Sequence, residues 1–176
     1  LSFVGSRSLG IVGANISTPR AIESAYYNPA GIINLSKISF YSGTTRLYEL
    51  SLLEHQFATI GFPNRDGINP ILLSYQKLST SYNDEWDNNS YSGILSREIN
   101  ISLSQGIKLL DDKNSIFSIG YNLNYYKSYQ AKSAGLSGDG LDGKPPDEST
   151  TFGIDVGLFA SLRDKIYFGA FIKNIN

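Results

Sequence analysis

The feature that most constrains this chain is a repeated alternation of apolar and small polar residues with a period of two. Over residues 99–109 the apolar side chains fall on Ile99, Ile101, Leu103, Ile107 and Leu109. Between them stand Asn100, Ser102, Ser104, Gly106 and Lys108. Successive side chains of a strand point to opposite faces, so this spacing predicts a strand with one apolar and one small, polar face. The pattern returns at Phe117, Ile119, Tyr121, Leu123 and Tyr125 against Ser118, Gly120, Asn122, Asn124 and Tyr126. A third run sets Phe152, Ile154, Val156 and Leu158 against Gly153, Asp155 and Gly157, and a fourth sets Ile166, Phe168, Ala170 and Ile172 against Tyr167, Gly169 and Lys173. Earlier segments are less regular. Residues 37–44 carry Ile38 and Phe40, residues 68–78 carry Ile71, Leu73 and Tyr75, and residues 52–62 leave open which face is apolar. Together these segments predict seven strands.

The connectors between them sort by length. Short ones are expected at 63–67, 111–115 and 163–165, and long ones at 79–97 and 128–150, which places tight turns on one rim and long loops on the other. A strand of about ten residues tilted by about 40° covers an apolar band of roughly 25 Å. Aromatic residues near strand ends (Phe40, Tyr41, Tyr75, Tyr125, Tyr126, Phe152 and Tyr167) fit interfacial girdles. A soluble β-sandwich or lipocalin-like barrel would alternate in the same way. The sorted loops and the Ser, Asn and Gly face favour an all-β fold, a transmembrane antiparallel β-barrel, with some seven of its strands in this chain.

Composition narrows the chemistry. A net charge of −1 with a pI near 5.8 gives no electrostatic reason to expect nucleic acid. There is no cysteine, which removes disulfides, thiolate metal sites and cysteine nucleophiles. The single histidine, His55, lies in an expected strand without a second ligand at metal spacing or a serine elbow beside it. Gly138, Gly140 and Gly143 have the spacing of a dinucleotide fingerprint, yet Lys144-Pro145-Pro146 stands where its helix would begin. Asp139, Asp142, Asp147 and Glu148 do not match the EF-hand spacing and read as solvated loop charge. No enzymatic activity, metal or cofactor is expected. No apolar run reaches the length of a membrane helix, and the lack of any Met suggests a removed leader or a fragment.

Before the strands, the chain reads "SAYYNPAGI" over residues 24–32. Proline lacks an N–H and pushes its predecessor out of the helical region, so Asn28-Pro29 marks a stop: a plain turn before the first strand, or the end of a plug. The longer stretch "SRSLGIVGANISTPRAIESAYYNPAGI" followed by "KISFYSG" resembles the mature N-terminus of the FadL-like outer-membrane transporters and the related PorV-type proteins. The specific residues are Asn28, Pro29, Ala30 and Gly31. The late stretch "FGIDVGLFASLRDKIYFGAFIKNIN" is similar to a strand pair of the PorV-like branch.

The resemblance implies a bacterial outer-membrane location, an N-terminal hatch over residues 1–35 folded inside the barrel, and residues 36–176 as the first half of a barrel of about fourteen strands. It implies a channel for uptake of hydrophobic small molecules. The alternative is a PorV-like component of type IX secretion that binds exported cargo proteins, with the 79–97 loop around Trp86 as a binding surface. Membrane lipid is the expected partner in both cases, together with a hydrophobic small molecule or protein cargo. A charge aimed at lipid costs about 2–4 kcal/mol near the midplane, so Asp155 and Lys173 are expected to face the lumen with Asn122 and Asn124, as an ion pair or in contact with the hatch.

Overall fold

The computed structural model describes residues 17, 21–46, 52–65, 67–86, 89–132, 143–163 and 165–175. Seven strands follow one another: β1 (Ser39–Arg46), β2 (Leu53–Phe62), β3 (Ile71–Trp86), β4 (Asn89–Asp112), β5 (Ser115–Gln130), β6 (Asp147–Leu162) and β7 (Ile166–Ile172). They form a single sheet in the order β1-β2-β3-β4-β5-β6-β7, every neighbouring pair antiparallel. The sheet curls into a half-barrel. Ahead of it, a short helical segment runs through a 3-10 turn (Ala21–Glu23), one α-turn (Ser24–Tyr27) and a second 3-10 helix (Pro29–Asn34).

The alternation seen in the sequence becomes two faces of opposite character. In β5, Ser118, Gly120, Asn122 and Asn124 are buried, while Phe117 and Leu123 are exposed. The contrast is inverted relative to a water-soluble sheet: Asn122 and Asp155 are 1% and 3% exposed, whereas Leu103 and Phe152 are 46% and 72% exposed. A large exposed apolar area is the informative departure from ordinary surface composition. In β2 the inner set is His55, Phe57, Thr59 and Gly61, which settles the face that the sequence leaves open.

The apolar core lies inside the curl. Ala25, Ile32 and Leu35 of the helical segment pack with Leu72 of β3 and Ile22, and Tyr26 packs with Phe57, Tyr27 and Tyr41. Burying a side chain such as Ile32 or Leu72 contributes about 1.5–3 kcal/mol. The segment is thus held largely by what it covers.

Several boundaries differ from the sequence expectation. Most of residues 79–97 is not a loop: β3 and β4 stay paired from Ser81↔Ile94 out to Trp86↔Asn89, beyond a bulge at Thr80/Ser81. The arm's sequence mixes Ser, Asn, Asp and Glu with single aromatics, so no continuous apolar period marks a ladder that is nonetheless intact. Likewise β5 and β6 pair out to Gln130↔Asp147, and the turn between β4 and β5 shrinks to Lys113 and Asn114. The first strand begins at Ser39 rather than at 37 and continues to Arg46. A second bulge, between Lys108 and Leu110, leaves both Leu109 and Leu110 exposed. The tight turn between β6 and β7 is as expected, with Arg163 in the left-handed region at φ 52°. Residues 1–16 of the expected hatch, and Gly138, Asp139, Gly140 and Asp142, lie outside the described residues.

Candidate functional site

The site is the seat of the helical segment on the inner face. Asn28 is extended (φ −162°, ψ 103°) and caps the helix that Pro29 opens, its Oδ1 accepting from the Ala30 N–H at 3.1 Å. Proline suits this first helical position, where its missing N–H leaves no donor unpaired. The Asn28 Nδ2 donates to the Leu158 carbonyl of β6 at 2.9 Å, so one amide both starts the helix and ties it to the sheet. Asn28, Pro29, Ala30 and Gly31 are all buried. The plain-turn reading is therefore replaced by a seated segment.

Carbonyls at the helix ends need partners. The sheet supplies them: the Ser118 Oγ donates to the Ala30 carbonyl at 3.0 Å, and the Asn122 Nδ2 donates to the Ala25 carbonyl at 3.1 Å. At the far side, the Tyr26 hydroxyl donates to the Ala58 carbonyl at 3.1 Å and makes a short hydrogen bond with the Thr59 hydroxyl. Burial pushes the Tyr26 phenol up to about 12.

Close approach is made possible by glycine. Register sets Gly106 opposite Gly120 and Gly120 opposite Gly157, three in a row across β4, β5 and β6. A Cβ at Gly120 would fall onto the Pro29 and Ala30 backbone, and one at Gly157 onto the Asn28 side chain and, at 2.9 Å, onto the Pro29 ring. At Gly106 it would meet the Pro29 carbonyl oxygen and the Ile33 nitrogen at 3.2 Å. The row is a trough shaped to Asn28-Pro29-Ala30.

Next to the trough sits the carboxylate of Asp155. Its Oδ2 accepts from Asn122 and Asn124 at 3.1 and 2.8 Å, and its Oδ1 accepts from the Asn174 backbone N–H at 3.0 Å. The Asn124 Oδ1 in turn takes a short hydrogen bond from Ser102. Three of the expected lumen residues are thereby joined, and Asp155 reaches the segment through Asn122. Lys173 does not join them as an ion pair. Its ammonium lies over the Phe171 ring, 5.3 Å from the centroid. Sequence reasoning did not single out Gly106, Gly120, Gly157, Ser118, Tyr26 or Thr59 as site residues. The available signal was glycine recurring on the polar parity of three neighbouring strands.

Among the described residues, no three His, Asp or Glu side chains converge as a metal site. No helix among them is long and apolar enough to cross a membrane, which says nothing of strands. No family model, curated protein or solved structure matches the chain. The functional reading therefore rests on the geometry itself.

Proposed function

We infer that this chain is part of an outer-membrane β-barrel whose lumen holds the helical segment as a hatch, and that the barrel passes hydrophobic small molecules. The observation that carries the reading is the inverted polarity of the sheet. Leu103, Leu123, Ile154, Phe168 and Ile172 point outward and are exposed, while Ser104, Asn122, Asn124 and Asp155 are buried on the inner face. Lipid is the solvent that makes this arrangement favourable, because an apolar outer band and a polar interior are what a membrane barrel requires. Hydrogen bonds between neighbouring strands meet, within the sheet, the further demand that backbone groups in hydrocarbon be paired, and the edges β1 and β7 meet it in the closed barrel of which this chain is part. The hatch role is supported by how much of the inner face the segment covers and by its hydrogen bonds to β5 and β6. Cargo binding of the PorV-like kind is the second reading, favoured by the paired β3–β4 arm that continues to Trp86↔Asn89.

The test is reconstitution, in lipid vesicles, of the closed barrel that contains this chain, followed by flotation and conductance. Leu123→Arg should weaken insertion by about 2–4 kcal/mol if the side chain faces the midplane. Removing residues 1–33 should raise conductance. Recovery of the chain as a stable monomer without detergent would overturn the membrane reading, and unchanged conductance after the deletion would overturn the hatch.

A further inference from the structure

The inner face also carries a cavity that the seat of the helical segment does not use. It lies beyond the glycine row on the side away from the tight turns, where register places Phe57, Gln76, Asn100 and Tyr126 side by side across β2 to β5. His55, Gln76, Asn100, Tyr126 and Asn174 line a volume of about 260 Å³. His55 is 1% exposed, and neither of its ring nitrogens makes a well-formed hydrogen bond among the described residues, with the Gln76 side chain as its polar neighbour. Buried polar atoms in a folded protein are ordinarily paired, and leaving one unpaired sacrifices its hydration without return. A ring held this way offers its hydrogen-bonding capacity to whatever fills the cavity.

We propose that this cavity binds a neutral, polyhydroxylated group of monosaccharide size. A hydroxyl group both donates and accepts, and so do the groups that face it: a neutral imidazole with one nitrogen of each kind, the amides of Gln76 and Asn100, and the Tyr126 phenol. Charge does not select an ion, because Lys173 and Glu98 reach the same cavity with opposite signs. A carboxylate head would have to take Lys173 from its place over Phe171 and approach Glu98. The volume equals the space of about nine waters at about 30 Å³ each, which fits one sugar-sized ring and falls below the range of drug-sized ligands. Leu78 and Ile99 add an apolar wall for the C–H face of such a ring. The site borders the segment: Phe57 lies 5.9 Å from the His55 ring and 6.2 Å from the Tyr26 ring, between centroids. The inference needs only the inner face, so its failure leaves the membrane and hatch reading intact.

The single histidine makes the test specific, since ring-labelled ¹⁵N-histidine gives one imidazole to follow. The full chain, folded in lauryldimethylamine oxide micelles at pH 8, is titrated with methyl β-D-glucoside in one arm and sodium butyrate in the other. The expected result is a saturable shift of the His55 ring nitrogens with the glucoside in the millimolar range and none with butyrate. Gln76→Leu and Asn100→Leu should each weaken the glucoside about tenfold, the loss of one or two hydrogen bonds. If either variant does not fold, the titration of the parent chain decides. Absence of a saturable shift with the glucoside, or an equal shift with butyrate, overturns the proposal.

Discussion

Substituting Gly120 by valine should unseat the helical segment while leaving the sheet in place. The new Cβ would land on the Pro29 and Ala30 backbone, which has no flexible end to move aside. Two responses compete. Forcing the side chain into the packed seat costs about 1–3 kcal/mol as overpacking. Lifting the segment instead breaks the bonds Ser118–Ala30, Asn122–Ala25 and Asn28–Leu158, at about 1 kcal/mol each, and exposes Ile32, worth about 1.5–3 kcal/mol. The cheaper route sets the cost near 3 kcal/mol, which raises the open population of the segment by about two orders of magnitude. A natural reporter is available because the chain has no cysteine and Ser24 is fully buried, its hydroxyl without a hydrogen-bond partner among the described residues, so Ser24→Cys introduces one protected thiol. Maleimide labelling of that thiol follows the open population when reclosing outpaces reaction. The expected outcome is labelling about a hundredfold faster in Gly120→Val than in the Ser24→Cys parent. Ile119→Ala, on the outward face of the same strand, should leave the rate within a factor of about two. Equal rates for Gly120→Val and the parent, with both folded, would refute the trough.

Asp155→Asn should destabilise the folded chain by about 1–3 kcal/mol, since an amide N–H₂ would face the donors of Asn122, Asn124 and Asn174. Urea unfolding in micelles reads this directly, and an unchanged or raised midpoint would show that the carboxylate is not the acceptor described. Tyr26→Phe should remove the hydrogen bonds to Ala58 and Thr59 and one phenol that titrates near 12. Because the folded phenol titrates above its ordinary value of 10, the stability it contributes is complete below pH 10 and is lost as pH rises toward 12. The difference between parent and variant in phenolate absorbance should therefore have its midpoint near 12; a midpoint near 10 would place Tyr26 in water.

What the sequence makes legible follows from where its signals are local. The strands around Ile99–Leu109 and Phe117–Tyr125 announce themselves because one face is apolar and the next residue is not, and the Arg163 turn shows through its charged, short composition. The β3–β4 arm was illegible for the complementary reason. Its sequence is mostly Ser, Asn, Asp and Glu with scattered aromatics, so a paired ladder leaves no continuous apolar period of two. The inward direction of Asp155 could be read from the cost of charge in lipid, and the structure places it there. Its partners could not be read, because Asn122 and Asn124 on β5 meet it through register, a property of two strands at once. The expected alternative of an ion pair with Lys173 misjudged which groups were nearer: amide donors already satisfy the carboxylate, and the ammonium finds an aromatic ring.

The bulge at Lys108–Leu110 acts as a phase setter for the seat. From the turn, β4 and β5 pair as Asp112↔Ser115 and Leu110↔Phe117, and if that register simply continued, Gly120 would face Ile107 instead of Gly106. One extra residue in β4 moves the strand by a single step and brings the two glycines into line, at which point β6 adds Gly157. The trough is thus addressed by counting paired residues from a turn, and its address changes with an insertion even where every glycine is kept. Removing Leu109 would close the bulge and keep Gly106 opposite Gly120, whereas one residue added between Gly106 and the turn would carry Gly106 out of line without touching a residue that lines the trough. Side chains of β4 away from Gly106 can change while the trough stays in place, provided that the paired count from the turn to Gly106 is kept.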